Sequence, residues 1–178
     1  MLIRVAVCGA MGLARLVELG WSQRNIQGAG PAREGPLSRR TFPLVVLLHA
    51  SVLIGTLLRG GRPRLPWLVL LLAVQPLRYW VLLTLGHRWN ARGSVATGLQ
   101  VATGGLYAHV RHPNYSVVAV ELASLPAAFG LGRLAVAASI ANAALLAVRI
   151  RDEEAMLFAL PGYREHFESK PRFLPGLF

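Results

Sequence analysis

The residues best suited to chemistry in this chain lie in two short blocks, and the first spans residues 105–115. It places Tyr107, His112 and Tyr115 around Pro113, a residue that favours the first turn of a helix. These side chains supply aromatic faces and hydrogen-bond donors beside a glycine pair that allows close backbone approach. The pattern fits either a cradle for a small polar ligand or the aromatic belt and basic anchor of a membrane span.

The second block, residues 149–157, brings three acids directly after an apolar run. Arg149 and Glu153 are four residues apart, so on a helix one acid can pair while another stays free to hold a cationic ligand. A solvated, salt-bridged helix end is the alternative interpretation. The segment 161–175 that follows is basic, aromatic and punctuated by prolines, as in an interfacial anchor.

The composition indicates a membrane protein. Of the 178 residues, 54% are hydrophobic and 15% are charged, against about 45–50% and 25% in soluble domains. The net charge of +11 comes from arginines that flank apolar runs rather than from one basic face, so we expect no nucleic-acid partner. A single cysteine and scattered histidines predict no metal site.

Five apolar segments of nearly membrane-spanning length predict an all-α integral membrane protein with one domain over residues 1–178. With five spans, twelve Arg or Lys residues fall on the side of the longer polar segments and five on the other. This asymmetry predicts a multi-pass plasma-membrane protein with those segments in the cytoplasm. If the first segment lies in the interface instead, the other four keep their direction. The expected spans are 2–20, 42–58, 65–85, 113–130 and 133–150, followed by a tail, 151–178.

Taken in order, the blocks resemble the isoprenylcysteine carboxyl methyltransferases and the related phospholipid methyltransferases. An ordered set of short motifs carries the resemblance: Gly105-Leu-Tyr107, Arg111-His-Pro-Asn-Tyr115, Arg149-Ile-Arg-Asp-Glu-Glu-Ala-Met-Leu157, Tyr163 and Arg172-Phe-Leu-Pro175.

The resemblance implies S-adenosylmethionine as cofactor, in a cytoplasmic pocket formed by the loop between the third and fourth spans and by the tail. No Gly-x-Gly-x-x-Gly motif opens a βαβ unit, so the soluble way of holding this cofactor is absent. Acids would face the cationic groups of the cofactor, aromatic residues would enclose it, and Arg111 would pair with its carboxylate. The expected cofactor residues are Gly105, Leu106, Tyr107, Arg111, His112, Pro113, Tyr115, Glu153 and Glu154.

A closer resemblance is to a short bacterial branch found with type III polyketide synthases, which methylates phenolic or pyrone lipids. This resemblance rests in part on three sets of residues: Arg24-Asn25, His49 and Leu85-Gly-His-Arg-Trp-Asn-Ala-Arg92. This branch implies O-methylation of a lipophilic acceptor that enters sideways from the bilayer. An isoprenylcysteine carboxylate is the next expected acceptor. Phospholipid N-methylation and a non-enzymatic membrane carrier or assembly subunit are the alternative functions.

Three further residues are candidates for the acceptor's end of the site. Glu121, within the fourth span, is either a general base for a phenol or the partner of Arg78 or Arg15 across the bundle. Asn90 and Arg92 stand where the head group of the acceptor is expected, although both also suit an anchor at the membrane interface. For His49 we expect a buried histidine bonded across helices.

Overall fold

The computed structural model describes residues 1–96, 98 and 100–173, and most of them are helical. Pro175 and the rest of the expected tail beyond residue 173 lie outside the described residues. Short 3₁₀ turns occupy Gly86–Arg88 and Gly105–Ala108, and the strands β1 (Ala32–Arg33) and β2 (Val95–Ala96) pair antiparallel. The helices of the described part are α1 (Leu2–Gly28), α2 (Pro36–Arg59), α3 (Leu65–Leu85), α4 (Pro113–Ala128), α5 (Gly132–Leu157) and α6 (Tyr163–Phe167).

Each expected span corresponds to a helix, but several helices continue past the apolar stretch that predicted them. The third span has the predicted bounds, because Gly86 ends the helix at a positive φ of 55°. α1 continues to Gly28 and α5 to Leu157, since polar helix formers follow both apolar runs without a breaker. The expected tail therefore begins inside α5, and the small β1–β2 sheet is a departure from the all-α prediction.

Three of the described helices have the length and composition to cross a membrane: Pro36–Arg59, Leu65–Arg88 and Gly132–Leu157. α4 has 16 residues, which at about 1.5 Å per residue is shorter than a hydrocarbon core of about 30 Å. α1 carries Arg15 and Glu18 near its middle. The expected five spans are thus supported for three helices, and the molecule is a helical membrane protein.

Neighbouring helices run antiparallel, which gives the bundle two different ends. At one end, called here the turn end, the connections 60–64 and 129–131 are joined by backbone hydrogen bonds, Gly61 N–H to Phe129 O at 2.8 Å and Arg64 N–H to Ala128 O at 2.7 Å. At the other, the loop end, lie the long connections 29–35 and 86–112 and the segment after α5. The residues of both chemical blocks are therefore gathered at the loop end.

α4 is the central helix of the bundle and packs against α2, α3 and α5. Ten of its residues are buried, among them Leu122 and Leu125. These two pack with Leu71 of α3 and Val52 of α2 in the principal apolar cluster. This central position shields the polar atoms of α4 from lipid. The residues of the site are arranged around the start of this helix.

An ion-pair network of four residues connects α1, α3 and α4 inside the bundle. Arg78 donates to both oxygens of Glu18 at 2.7 and 2.6 Å and to Glu121 at 3.2 Å. Arg15 lies 3.0 Å from Glu18 and 3.2 Å from Glu121. Two cations and two anions balance, and Gln75 donates a further hydrogen bond to Glu121 at 3.0 Å. Since an unpaired charge here is strongly unfavourable, the network fixes the register of the three helices.

Removing one cation from this network should destabilise the fold. We expect Arg78→Met to reduce stability by about 3–5 kcal/mol, because two buried carboxylates lose their main partner. The midpoint of thermal unfolding in detergent measures the effect, and Arg59→Met, which removes an exposed arginine of α2, is the control. Equal midpoints for the two variants would contradict a stabilising role for the network.

Candidate active site

Long-range hydrogen bonds from the helix ends hold the loop end together. Asp152 of α5 accepts the backbone N–H of Ser38 at 2.7 Å and so caps α2, whose own N-cap residue is a glycine without a side chain. The Asn25 side chain of α1 donates to the carbonyls of Gly86 and Trp89 at 3.0 and 2.7 Å. These contacts position the loop 86–112 over the bundle.

The tail is fastened to the start of α4 through Glu154. The backbone N–H groups of Arg111 and His112 donate to the carbonyls of Pro171 and Arg172 at 3.0 and 2.8 Å. The Glu154 carboxylate then lies 3.1 Å from Arg111, 3.1 Å from His112 and 2.6 Å from Arg172. Its hydrogen bond to Arg172 raises the pKa of that guanidinium above its usual value. One carboxylate thus joins α5, the tail and the first sequence block.

A cavity of about 520 Å³ begins under the loop end and continues down between α1 and α2. This volume lies within the range of about 300–1,000 Å³ typical of ligand pockets. The upper part is lined by residues of both sequence blocks and by loop residues within 88–96 and 100–102. The lower part is lined mainly by apolar residues of α1 and α2, including Leu16, Leu19, Val45, Val46, Leu53 and Ile54.

The upper cavity presents polar atoms that lack partners among the described residues. Arg149 donates from Nη2 to Ala91 O at 2.9 Å, while its buried Nη1 has no acceptor. Asn114 Oδ1 and Trp89 Nε1 are also buried and unpaired. Unpaired buried polar groups are unfavourable, so three such groups around one cavity indicate that a polar ligand completes them.

Glu153 supplies the negative charge of the upper cavity. Its Oε2 accepts a hydrogen bond from the Tyr115 hydroxyl at 2.5 Å, and the ring of Tyr115 stacks on His112 with centroids 5.4 Å apart. Within the described part of the chain Glu153 has no salt bridge, whereas Glu154 has three. A carboxylate without a salt-bridge partner is suited to bind a cationic group of a ligand.

Aromatic side chains close the cavity toward α6. Tyr107, Tyr163 and Phe167 line it, and the rings of Tyr163 and Phe167 stack with centroids 4.5 Å apart. Burial raises the pKa of the hydroxyls of Tyr107 and Tyr163, so both stay neutral donors at physiological pH. Flat apolar faces with polar tips are suited to a heteroaromatic ring.

The structure brings five of the nine expected cofactor residues to the cavity: Tyr107, Arg111, His112, Tyr115 and Glu153. The other four do not line the cavity but pack beside the residues that do. Gly105 has φ +56° and packs so closely on α3 that a Cβ would lie 2.9 Å from Thr84 Oγ1. Leu106 packs in the apolar cluster with Tyr107, Pro113 opens α4, and Glu154 makes the ion pairs described above.

The candidates for the acceptor's end of the site are placed differently from one another. Both oxygens of Glu121 are engaged by Arg15, Arg78 and Gln75, and its side chain lies outside the lining of the large cavity, so the geometry assigns it to the ion-pair network rather than to proton abstraction.

Asn90 lines the cavity and closes the turn 90–94 by two hydrogen bonds with the backbone of Ser94, at 2.7 and 2.9 Å. Arg92 is 42% exposed and points instead toward Glu34 at 3.9 Å and the ring of Phe42 at 4.9 Å. Arg92 therefore does not line the cavity itself, although Phe42 does.

Sequence reasoning did not assign Arg149, Asn114 and Trp89 to the site, although all three line it. Each stands inside or beside a quoted motif: Arg149 opens the second block, Asn114 fills the variable position of the first, and Trp89 lies in the loop carrying Asn90. His49 also lines the cavity, and its Nδ1 bonds to Val45 O of its own helix at 2.8 Å rather than across helices as expected.

Loss of the charge at Glu154 should release the tail. In Glu154→Gln we expect faster trypsin cleavage after Arg172, because the tail loses the ion pair of Arg172 with Glu154 while the membrane helices keep their contacts. Limited proteolysis followed by mass spectrometry measures the cleavage rate. Glu168→Gln, which removes an exposed acid paired with Arg164, is the matched control. Identical cleavage in both variants and the native protein would contradict the docking role of Glu154.

Comparison with known proteins agrees with this arrangement. A family model described as the isoprenylcysteine carboxyl methyltransferase family matches residues 67–159, which include most of α3, the loop 86–112 and all of α4 and α5. The uncharacterized protein YpbQ of Bacillus subtilis (strain 168) is 31% identical over 150 residues, covering 80% of this chain and 89% of that protein. The family match spans α4, α5 and both sequence blocks. This chain therefore belongs to the isoprenylcysteine carboxyl methyltransferase family of membrane methyltransferases.

Proposed function

We propose that this protein transfers a methyl group from S-adenosylmethionine to an oxygen of a lipophilic acceptor. The observation that carries the proposal is one continuous cavity with a polar end, which Glu153 lines together with unpaired polar atoms, and an apolar end between α1 and α2. In such a cavity a polar cofactor can occupy the polar end and a lipid the apolar end, and the two can meet between them. Membership of a methyltransferase family supports the same reaction.

In this proposal the upper cavity binds and orients the cofactor. Arg149 offers its free Nη1 to the carboxylate, and Glu153 faces the cationic groups. Tyr107, Tyr163 and Phe167 provide the surface for the purine. The cofactor supplies an activated methyl group, whose bond to sulfur breaks as the bond to the acceptor oxygen forms. Alignment of the two reactants is the main contribution of the protein, and such positioning can be worth about 7–11 kcal/mol.

The charge of the cavity favours an acceptor that reacts as an oxyanion. Among the residues that line it, Arg15, Arg78 and Glu18 belong to the balanced network with Glu121, and Arg111 pairs with Glu154. Arg88 and Arg149 remain against Glu153, which leaves an excess of one positive charge. A phenol has a pKa of about 10, which neighbouring positive charge lowers, so the hydroxyl proton passes to water before the methyl transfer. Methyl transfer from a sulfonium to an oxyanion gives a methyl ether and a neutral thioether, and this step requires no proton transfer.

A phenolic or enolic lipid is therefore our proposed acceptor, and an isoprenylcysteine carboxylate is the second candidate because the same arginines suit a carboxylate. The excess of cations disfavours a phospholipid amine. We place the acceptor in the lower cavity, with its chain leaving between α1 and α2 into the bilayer. The excess of arginine and lysine at the loop end supports a cytoplasmic position for the cofactor end.

The proposal is tested by titrating the purified protein in nanodiscs with S-adenosylmethionine. We expect saturable binding that Arg149→Met weakens roughly 10- to 100-fold, because a charged hydrogen bond is lost. Arg151→Met removes an exposed arginine two residues further along the same helix and should leave binding unchanged. Absence of binding to the native protein, or equal weakening in both variants, would contradict the assigned site.

A further inference from the structure

The lower cavity contains two polar side chains that have no role in the proposed reaction, His49 of α2 and Asn142 of α5. Both line the cavity, and only 4% of Asn142 is exposed. Among the described residues, neither has a hydrogen bond to another helix. Polar residues at this depth are unfavourable unless they pair with a neighbour or bind a ligand.

The two side chains stand at the same level of the bundle. α2 and α5 are antiparallel, and Ser38 and Asp152 mark a common height through their 2.7 Å hydrogen bond. His49 follows Ser38 by eleven residues and Asn142 precedes Asp152 by ten, which is about 15–16 Å along each axis. Both helices contribute to the lining at this height, so the two polar groups face one part of the cavity.

The chemistry of the pair is set by the local hydrogen bonding. A carbonyl oxygen only accepts, so the contact of His49 Nδ1 with Val45 O places the ring proton on Nδ1 and leaves the lone pair on Nε2. Nε2 is therefore a neutral acceptor. The Asn142 amide offers a donor and an acceptor. Together they complement a hydroxyl group, which donates to His49 and accepts from Asn142.

We propose that His49 and Asn142 form a subsite for a second, non-reacting oxygen of the acceptor. Asn142 lies about 10 Å below Arg149 along α5, so this subsite is distinct from the cofactor end. The inference rests on the proposed function, and it makes the acceptor a lipid whose ring carries two oxygen functions. One is methylated near the cofactor, and the other is held by the pair and fixes the orientation of the ring. His49 and Asn142 are specificity-determining residues in this scheme.

The test compares two lipids that differ in a single hydroxyl, 5-pentadecylresorcinol and 3-pentadecylphenol. Binding of each to the protein in nanodiscs, saturated with S-adenosylhomocysteine, is measured by calorimetry against empty nanodiscs. The native protein should bind the resorcinol at least about tenfold more tightly, because the phenol leaves the pair unsatisfied. Asn142→Leu and His49→Phe should lower this ratio toward one by weakening resorcinol binding, with phenol binding unchanged.

Two controls remove polar groups that do not line the cavity, Ser139→Ala on α5 and Ser51→Ala on α2, and both should keep the native ratio. A native ratio near one, or equal weakening of both lipids in Asn142→Leu and His49→Phe, would overturn the subsite. Methyl transfer is assayed separately. If the resorcinol is bound selectively but never methylated, the proposed reaction is wrong while the subsite stands.

Discussion

Glu154 is held by two arginines and a histidine from two other parts of the chain, and the rest of the site depends on this contact. Arg111 and His112 precede α4, Arg172 belongs to the tail, and Glu154 itself is on the last turns of α5. A carboxylate buried at this position requires compensation, and each partner supplies it. The same interaction brings Glu153, one residue earlier, to the Tyr115 hydroxyl inside the cavity.

The interior of the bundle also contains buried charges that require partners. Arg15, Glu18, Arg78 and Glu121 balance one another between α1, α3 and α4, so these helices keep one relative position. The network also forms part of the boundary of the cavity, through Arg15, Glu18 and Arg78. Polar pairing between the helices and an apolar opening between α1 and α2 are thus combined in a chain of 178 residues.

The helices and the grouping of the two blocks could be predicted from sequence, because hydropathy and breakers fix apolar segments and alternating spans fix which segments share an end. The role of Glu121 could not. Its position on an apolar helix suits a base or an ion pair equally, and only the distances to Arg15 and Arg78 decide between them.

The division of labour between Glu153 and Glu154 was equally hidden from the sequence. Both are acids of one motif, and their different partners follow from a rotation of about 100° per residue around α5. The unpaired Arg149 Nη1 and Asn114 Oδ1 were hidden for a similar reason, since a one-dimensional pattern shows which groups are polar but not which remain unsatisfied after folding.

The central claim is that the two sequence blocks and the loop 86–112 hold one ligand together. Hydrogen–deuterium exchange of the protein in nanodiscs, with and without S-adenosylhomocysteine, tests this most directly. The account predicts joint protection of residues 89–96, 105–115 and 149–172, with no change at the turn-end connections 60–64 and 129–131. Protection confined to one block, or located at the turn end, would contradict it.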